Sequence, residues 1–375
     1  MTPRLDPGAD AEDLREVVRD FVERHAGTES VFREIAGERG WDPQVWRRLA
    51  AELGVVALDV PEDRGGAGAS FREVAVVAEE LGRSLVRLPW FSTAVLAVGV
   101  LLHSDGSRDD LLQRLASGEL TATLAHLDGF AGWDPDAVRT VAEEDEEGGW
   151  RLRGTKTLVV EGTTAEVLFV VAAVPGEHDE PAIFVVDGAA DGLVRTALPG
   201  LDPTRPLAEL VLDDTPATRL GPPGDARAII ELVLDRARAA LACEQAGGAA
   251  AAMELAVGHA AQRVQFGRPI ATFQAVKHRC ADMAVQVEAA RSAALWAAAA
   301  AADDPDHLAT AAATAAIVCG DAYSWVAAET VQVHGGMGFT WEHPAHLHVR
   351  RAALDATLFG TRAEHRDALL AAVGI

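Results

Sequence analysis

Three cysteines, one tyrosine, four methionines and few lysines are what this 375-residue chain has least of. Cys243, Cys280 and Cys319 stand far apart, each in an apolar, helix-like segment. Their spacing suits neither a disulfide framework nor a zinc knuckle, so buried thiols are expected. Positive charge is short as well: 33 Lys and Arg against 57 Asp and Glu leave a net charge of -24. That excludes a broad nucleic-acid surface but leaves room for an anion in a locally basic cleft. The apolar segment from Trp90 to Leu102 is too short to cross a bilayer and is closed by His103-Ser-Asp. Met1-Thr-Pro-Arg-Leu-Asp6 lacks a basic region followed by an apolar run, so no secretory leader is expected and the cytoplasm is the default location.

What is present falls into three blocks: residues 1–119, 120–220 and 221–375. In the first, Leu14, Val17, Val18, Phe21 and Val22 recur at helical spacing, and Pro43 opens a helix whose apolar side carries Trp46, Leu49 and Leu53. The stretch Pro61-Glu-Asp-Arg-Gly-Gly-Ala-Gly-Ala-Ser70 reads as loop, with Ser70 and Glu73 in capping-box positions for the next helix. No strand feeds its glycines and no Lys-Ser or Lys-Thr follows, which argues against a phosphate loop. In the second block, 150–160, 167–174, 182–186 and 207–212 are short strand-like units between Gly, Pro and Asp breakers, predicting a small barrel or sandwich. Asp134-Pro-Asp136 and Glu143 to Glu147 read as solvated loop charge. The third block predicts helices over 226–262, 272–301, 306–334 and 344–358 and from 361, forming a bundle, with Asp306 capping the third. The predicted class is α+β: helical domain, β domain, helical bundle. No alternating strand–helix pattern supports a dinucleotide-binding sheet.

Two segments interrupt the bundle pattern. In Arg263-Val-Gln-Phe-Gly-Arg-Pro-Ile-Ala-Thr-Phe-Gln274, Arg263 can pair with phosphate oxygens and Phe266 can stack on a flat ring beside a turning Gly267. In Gln332-Val-His-Gly-Gly-Met-Gly-Phe-Thr-Trp-Glu342, Gln332 offers an amide, Gly335, Gly336 and Gly338 offer bare backbone N–H groups, and Phe339 and Trp341 offer ring surface. Each segment alone also fits a helix–helix corner. His334, His343, His346 and His348 invite a metal reading, but packing and local hydrogen bonding account for them better, and no metal is expected.

Together these segments, spaced as Arg-x-Gln-Phe-Gly-x-Pro-Ile-x-x-Phe-Gln and Gln-x-x-Gly-Gly-x-Gly-Phe-Thr, resemble the acyl-CoA dehydrogenase superfamily, as does the block order over nearly the whole chain. The resemblance implies a FAD shared across a subunit interface and oxidation of an acyl-CoA thioester to the trans-2-enoyl form. Arg263, Gln265, Phe266, Gln332, Gly335 and Gly336 would contact the ADP half of that FAD, and Arg238 would lie near the acyl cavity. Electron-transfer flavoprotein is the implied electron acceptor.

Against the family pattern stand several departures. The usual base position, before a Gly-Thr pair, is Phe359 (followed by Gly360-Thr361), and the alternative position on the long helix is Ala237. Of the nearby acids Glu231, Asp235, Glu244 and Asp355, Glu244 is the candidate substitute, although a buried Glu must be paired. The flavin-holding loop is replaced by Ala125-His-Leu-Asp-Gly-Phe-Ala-Gly-Trp133, and the aromatic flavin wall by Leu158-Val-Val160. The resemblance is therefore to the partly degenerate subunit of bacterial heteromeric enzymes, such as those acting on steroid side chains. A similar subunit, in a heterodimer or heterotetramer, would supply the base. A homomer with a displaced base and a flavin-free acyl-binding or scaffold subunit are the alternatives.

Overall fold

A computed structural model of the chain describes residues 5, 8–130, 132–146, 148–176 and 180–372. Ala131 of the replaced flavin loop, Glu147 of the acidic run, and all of the opening segment except Leu5 lie outside the described residues. Helices come first: α1 (Ala9–His25), α2 (Thr28–Ala36), α3 (Pro43–Leu53), α4 (Phe71–Arg83), α5 (Val98–Leu102) and α6 (Asp109–Ala116). Local chemistry sets two of their starts. The Asp42 side chain accepts the Gln44 N–H with Pro43 at the first helical position, where its missing N–H costs nothing. Ser70 and Glu73 form a reciprocal capping box. A π-helical stretch, Phe91–Ala97, leads into α5 and buries every one of its residues. Trp41, Trp46 and Trp90 are all core residues of this block.

The strands are β1 (Ala122–Ala125), β2 (Val141–Glu144), β3 (Trp150–Val160), β4 (Val167–Ala173), β5 (Pro181–Asp187), β6 (Leu193–Ala197) and β7 (Leu207–Leu220). Following the pairings from β4 to β2, β3, β7 and β5 returns to β4, so the sheet closes into a barrel. β1 adds to β4 and β6 to β7 at its margins. Leu168, Val170 and Ala172 alternate into one core with Phe184, Leu210 and Leu212. Two expectations are corrected here. Glu143 and Glu144, read as loop charge, end β2 and pair with Arg151 and Trp150. β7 does not stop at Leu212: Asp214 adopts φ 58° and Pro216 sits opposite Arg151, so the strand kinks and continues.

The last block holds α7 (Ala226–Gln262), the two-residue strands β8 (Val264–Gln265) and β9 (Arg268–Pro269), α8 (Gln274–Asp303), α9 (Pro305–His334), α10 (Ala345–Asp355) and α11 (Arg362–Ala372). α7 packs on α4, α8 and α9. At its crossing with α4 the backbones touch. A Cβ on Gly82 would sit 2.2 Å from the Glu244 carbonyl oxygen, and one on Gly247 would sit 2.0 Å from that of Glu79, so only glycine permits this approach. α9 starts one residue earlier than expected. Asp304 is its N-cap residue and Pro305 its first helical position, which leaves Asp306 inside the first turn, its charge facing the positive helix end. Cys243 and Cys319 are buried and all three thiols are free, but Cys280 is only half-buried because the first half of α8 lies at the surface. The architecture is helical block, barrel, helical bundle, an α+β fold.

Candidate functional site

α7 ends at Gln262 with Arg263 as its extended C-cap, and the chain reverses through β8 and β9 around Phe266 (φ 53°) and Gly267 (φ 77°). Two successive positive φ values match the tight hairpin turn whose twist suits antiparallel strands. Ile270 N–H closes the reversal on the Arg263 carbonyl at 2.8 Å. Phe266 meets Phe273 edge-on, at 6.1 Å between ring centroids, and exposes 92% of its surface. Arg263 is exposed and has no ion-pair partner among the described residues. The second segment caps α9. Gly335 takes φ 62° and starts a short 3-10 turn through Phe339, which is 76% exposed. A Cβ built on Gly335, Gly336 or Gly267 meets nothing within 4 Å, so the main chain there faces open space. Gly338 differs. It is buried, and an added Cβ would meet the Val331 carbonyl oxygen at 3.0 Å. It is a packing glycine, not the bare backbone surface expected of it. The two segments adjoin through their helix ends, with the His259 and His334 rings 4.4 Å apart.

The positions expected to serve a flavin ring look different. Phe359 (φ 61°) stacks on Phe91 at 5.7 Å, nearly parallel, and on His126 at 6.4 Å, while His126 packs on Trp133. Burial, then the charges of Lys156 and Arg238, pushes His126 down to about 3, so this imidazole is neutral. The loop after β1 is tied in place from behind. Asp128 pairs with the buried Lys156 at 2.9 Å and accepts the N–H of Arg139 and Thr140, while Thr157 N–H donates to the Leu127 carbonyl. Leu158 stands at φ 53° within an irregular part of the β3–β7 ladder. Ala237 is fully buried. An aromatic plug thus stands where the sequence led us to expect the base. Beside it, Arg238 donates to the Phe359 carbonyl at 2.9 Å and pairs with Asp235 at 2.6 Å, lining a cleft of about 180 Å³. Burial raises the Asp235 carboxyl against the opposing pull of Arg238.

Glu244, the substitute base suggested by sequence, is already engaged. Arg205 and Arg351 both donate to its Oε1. Arg351 also binds Asp202 at 2.8 Å and the Thr204 hydroxyl at 2.6 Å. Burial works to raise the Glu244 carboxyl, but the two guanidinium groups prevail and hold it below its ordinary value. A carboxylate so paired is a poor proton acceptor. The network reaches the plug directly, because the Arg205 guanidinium lies over the Phe91 ring at 4.9 Å. Asp355 sits 3.7 Å from Arg205, and burial pushes its carboxyl up to about 7. Of the other acids near the long helix, Glu231 is exposed.

Sequence reasoning missed the plug residues Phe91 and His126 and the clamp of Arg205, Arg351 and Asp202. The one signal for the clamp was that a buried Glu244 demands cationic partners. Among the histidines, Ala345 N–H donates to His343 Nδ1, His334 bonds the Thr330 carbonyl, and the Tyr323 hydroxyl lies 2.9 Å from His348 Nδ1.

Comparison with known proteins places this geometry. The acyl-CoA dehydrogenase N-terminal domain matches residues 8–119 and the acyl-CoA dehydrogenase C-terminal domain matches residues 226–374. Over 355 residues the chain is 36% identical to acyl-CoA dehydrogenase IpdE2 of Mycobacterium tuberculosis, covering 94% of each protein. It superimposes on a variant of the Tcur3481-Tcur3483 steroid ACAD with a TM-score of 0.85 at 32% identity, covering 98% of this chain and 99% of that one. The ChsE4-ChsE5 complex from Mycobacterium tuberculosis gives a TM-score of 0.86 at 26% identity, with 99% and 98% covered. The chain belongs to the acyl-CoA dehydrogenase family, whose members are FAD-dependent oxidoreductases.

Proposed function

We propose that this member of the acyl-CoA dehydrogenase family is the nucleotide-gripping subunit of a heteromeric enzyme that oxidises an acyl-CoA thioester to its trans-2-enoyl form. FAD, when bound, supplies the hydride acceptor. The residues of this chain fit one half of that cofactor and not the other. Arg263 offers a paired, charge-assisted contact to phosphate oxygens, Phe266 a free ring face, Gln265 and Gln332 their amides, and Gly335 and Gly336 a main chain that no Cβ screens from a ligand. Among the described residues nothing comparable faces the ring end, where Phe359 stacks on both Phe91 and His126.

The single observation that carries the reading is this asymmetry. Abstracting the α-proton of a thioester requires a base, and neither Phe359 nor Ala237 accepts a proton. Glu244 is spoken for by Arg205 and Arg351. The base therefore comes from a similar partner subunit, which also seats the flavin ring, while this chain contributes Arg263, Gln265, Phe266, Gln332, Gly335 and Gly336 to the far end. The cleft at Arg238 remains as a site toward the acyl group. Electron-transfer flavoprotein completes the cycle as acceptor.

The test is to purify the full chain alone and co-expressed with a similar subunit encoded beside it, measuring flavin absorbance per polypeptide and oxidation of a saturated acyl-CoA. Alone, the chain carries no stoichiometric flavin and is inactive; together, the pair holds FAD and turns over. An isolated chain that holds stoichiometric FAD and oxidises the thioester would overturn the proposal.

A further inference from the structure

Two segments far apart in sequence must present one surface if they are to grip one nucleotide, and three imidazoles lie between them. His259 stands in the last turn of α7, just before Arg263; His334 ends α9, just after Gln332; His343 follows Trp341. The His334 ring packs on His259 at 4.4 Å and on His343 at 4.3 Å, and it is the buried one of the three. Its Nδ1 lies 2.7 Å from the Thr330 carbonyl. A carbonyl only accepts, so Nδ1 carries the proton and the ring is fixed in one orientation. His343 Nδ1 accepts the Ala345 N–H at 3.2 Å, so in the neutral ring its own proton sits on Nε2. Among the described residues no backbone hydrogen bond joins 263–273 to 332–343. Side-chain packing is what connects them.

We infer that His334 is a positioning residue that clasps the Arg263 hairpin and the Gly335 turn into a single nucleotide-binding surface. The inference rests on the function proposed above. The clasp works as a neutral stack. Across the adjoining cleft of about 650 Å³, α1 presents Arg19 and Glu23, α4 presents Glu80 and Arg83, and α7 presents Glu254. Arg19 binds Glu80 and Arg83 binds Glu254, so these charges largely answer one another. On the bundle side stand Arg263, His346, His348 and Arg350, which add only positive or neutral groups. Burial first, then the neighbouring imidazoles (and, for His259, Arg263), holds His259 and His343 below the ordinary imidazole value. The sign follows: cohesion is complete above the ordinary imidazole pKa and is lost as pH falls through the depressed values.

Hydrogen exchange on the full chain, corrected for intrinsic rates, tests this at about pH 8 and about pH 5.5, either side of the imidazole range. His334→Ala should speed exchange about fivefold or more in both 259–273 and 330–345. His334→Phe, which keeps a flat ring in the stack, should retain wild-type protection in both segments at the higher pH, and the His259→Phe/His343→Phe double variant should lack the acid loosening that the wild type shows in both segments. Loosening confined to 330–345 in His334→Ala would overturn the clasp, as would wild-type acid loosening persisting in the His259→Phe/His343→Phe double variant. Adding ADP separates this inference from its premise. ADP that protects both segments in the wild type and neither in His334→Ala supports both. Coupled loosening with no ADP protection in the wild type leaves the clasp standing and defeats the nucleotide reading.

Discussion

The two ends of the site stand in opposite physical states. At the hairpin and the glycine turn, Phe266 and Phe339 project into solvent, each leaving unburied an aromatic surface of the kind that dominates cores and interfaces. At the base position, Phe359 and Phe91 stack on each other beneath Arg205, and the adjoining loop has its polar groups tied to Asp128. A base position filled by an apolar side chain does not stay open. Aromatic area closes over it, because burial at about 25 cal/mol per Å² favours collapse. The other end stays exposed: Arg263 has no ion-pair partner among the described residues, and Phe266 and Phe339 have little packed against them. Where this molecule is closed its side chains answer one another, and where it is open the proposed function puts the nucleotide end of FAD.

The largest expected effect sharpens the closed end. Removing one partner from a buried ion network leaves uncompensated charge, at a cost of about 3–5 kcal/mol. Glu244→Ala leaves the two cations Arg205 and Arg351 with only Asp202 and the more distant Asp355 to answer them, and denaturant unfolding should show a loss of that order. Activity per folded co-expressed complex should persist. If it vanished while the variant stayed folded, Glu244 would be chemical after all and the contrast between the ends would fail.

At the open end the expected effect is smaller and of another kind. Arg263→Ala should leave unfolding unchanged, since this side chain is exposed and has no ion-pair partner among the described residues. Loss of a charge-assisted contact of about 1.5–3 kcal/mol corresponds to roughly 10- to 100-fold weaker FAD retention by the co-expressed complex. Equal FAD affinity in wild type and variant would break the assignment of this face.

How much of the fold and the site can be read before folding follows from what sequence patterns encode. The long helices announce themselves by period, and α7 runs over 226–262 as expected. β1 is only four residues long and buried at every one of them, β2 carries two glutamates at its open end, and β6 is an edge strand with little burial, so none of these gives a clear period-two signal. The hairpin is legible because glycine and proline break a helix, and Phe266, set just before Gly267, has no helical face to join. The plug is not. Phe91, His126 and Phe359 come from a π-helical turn, a barrel loop and the end of the bundle, and only folding brings them together. Glu244 marks the need for partners without naming Arg205 or Arg351.

The smallest expected effect probes the backbone that aims Phe266. Gly267 stands at φ 77° with open space around it, so Gly267→Ala meets no steric neighbour and acts only through the left-handed conformation. That preference costs an alanine about 1 kcal/mol, enough to distort or loosen the two-residue turn without unfolding α7 or α8. Gly258 lies nearby with equally open surroundings but within helix geometry, where alanine is favoured over glycine by about 1 kcal/mol. The pair therefore makes an internal control. Gly267→Ala should weaken FAD retention in the complex by about fivefold, and Gly258→Ala should leave it unchanged while slightly stabilising the chain. Equal behaviour of the two variants would mean that the hairpin's shape is not read by the cofactor, and the open end would lose its claim to be a site.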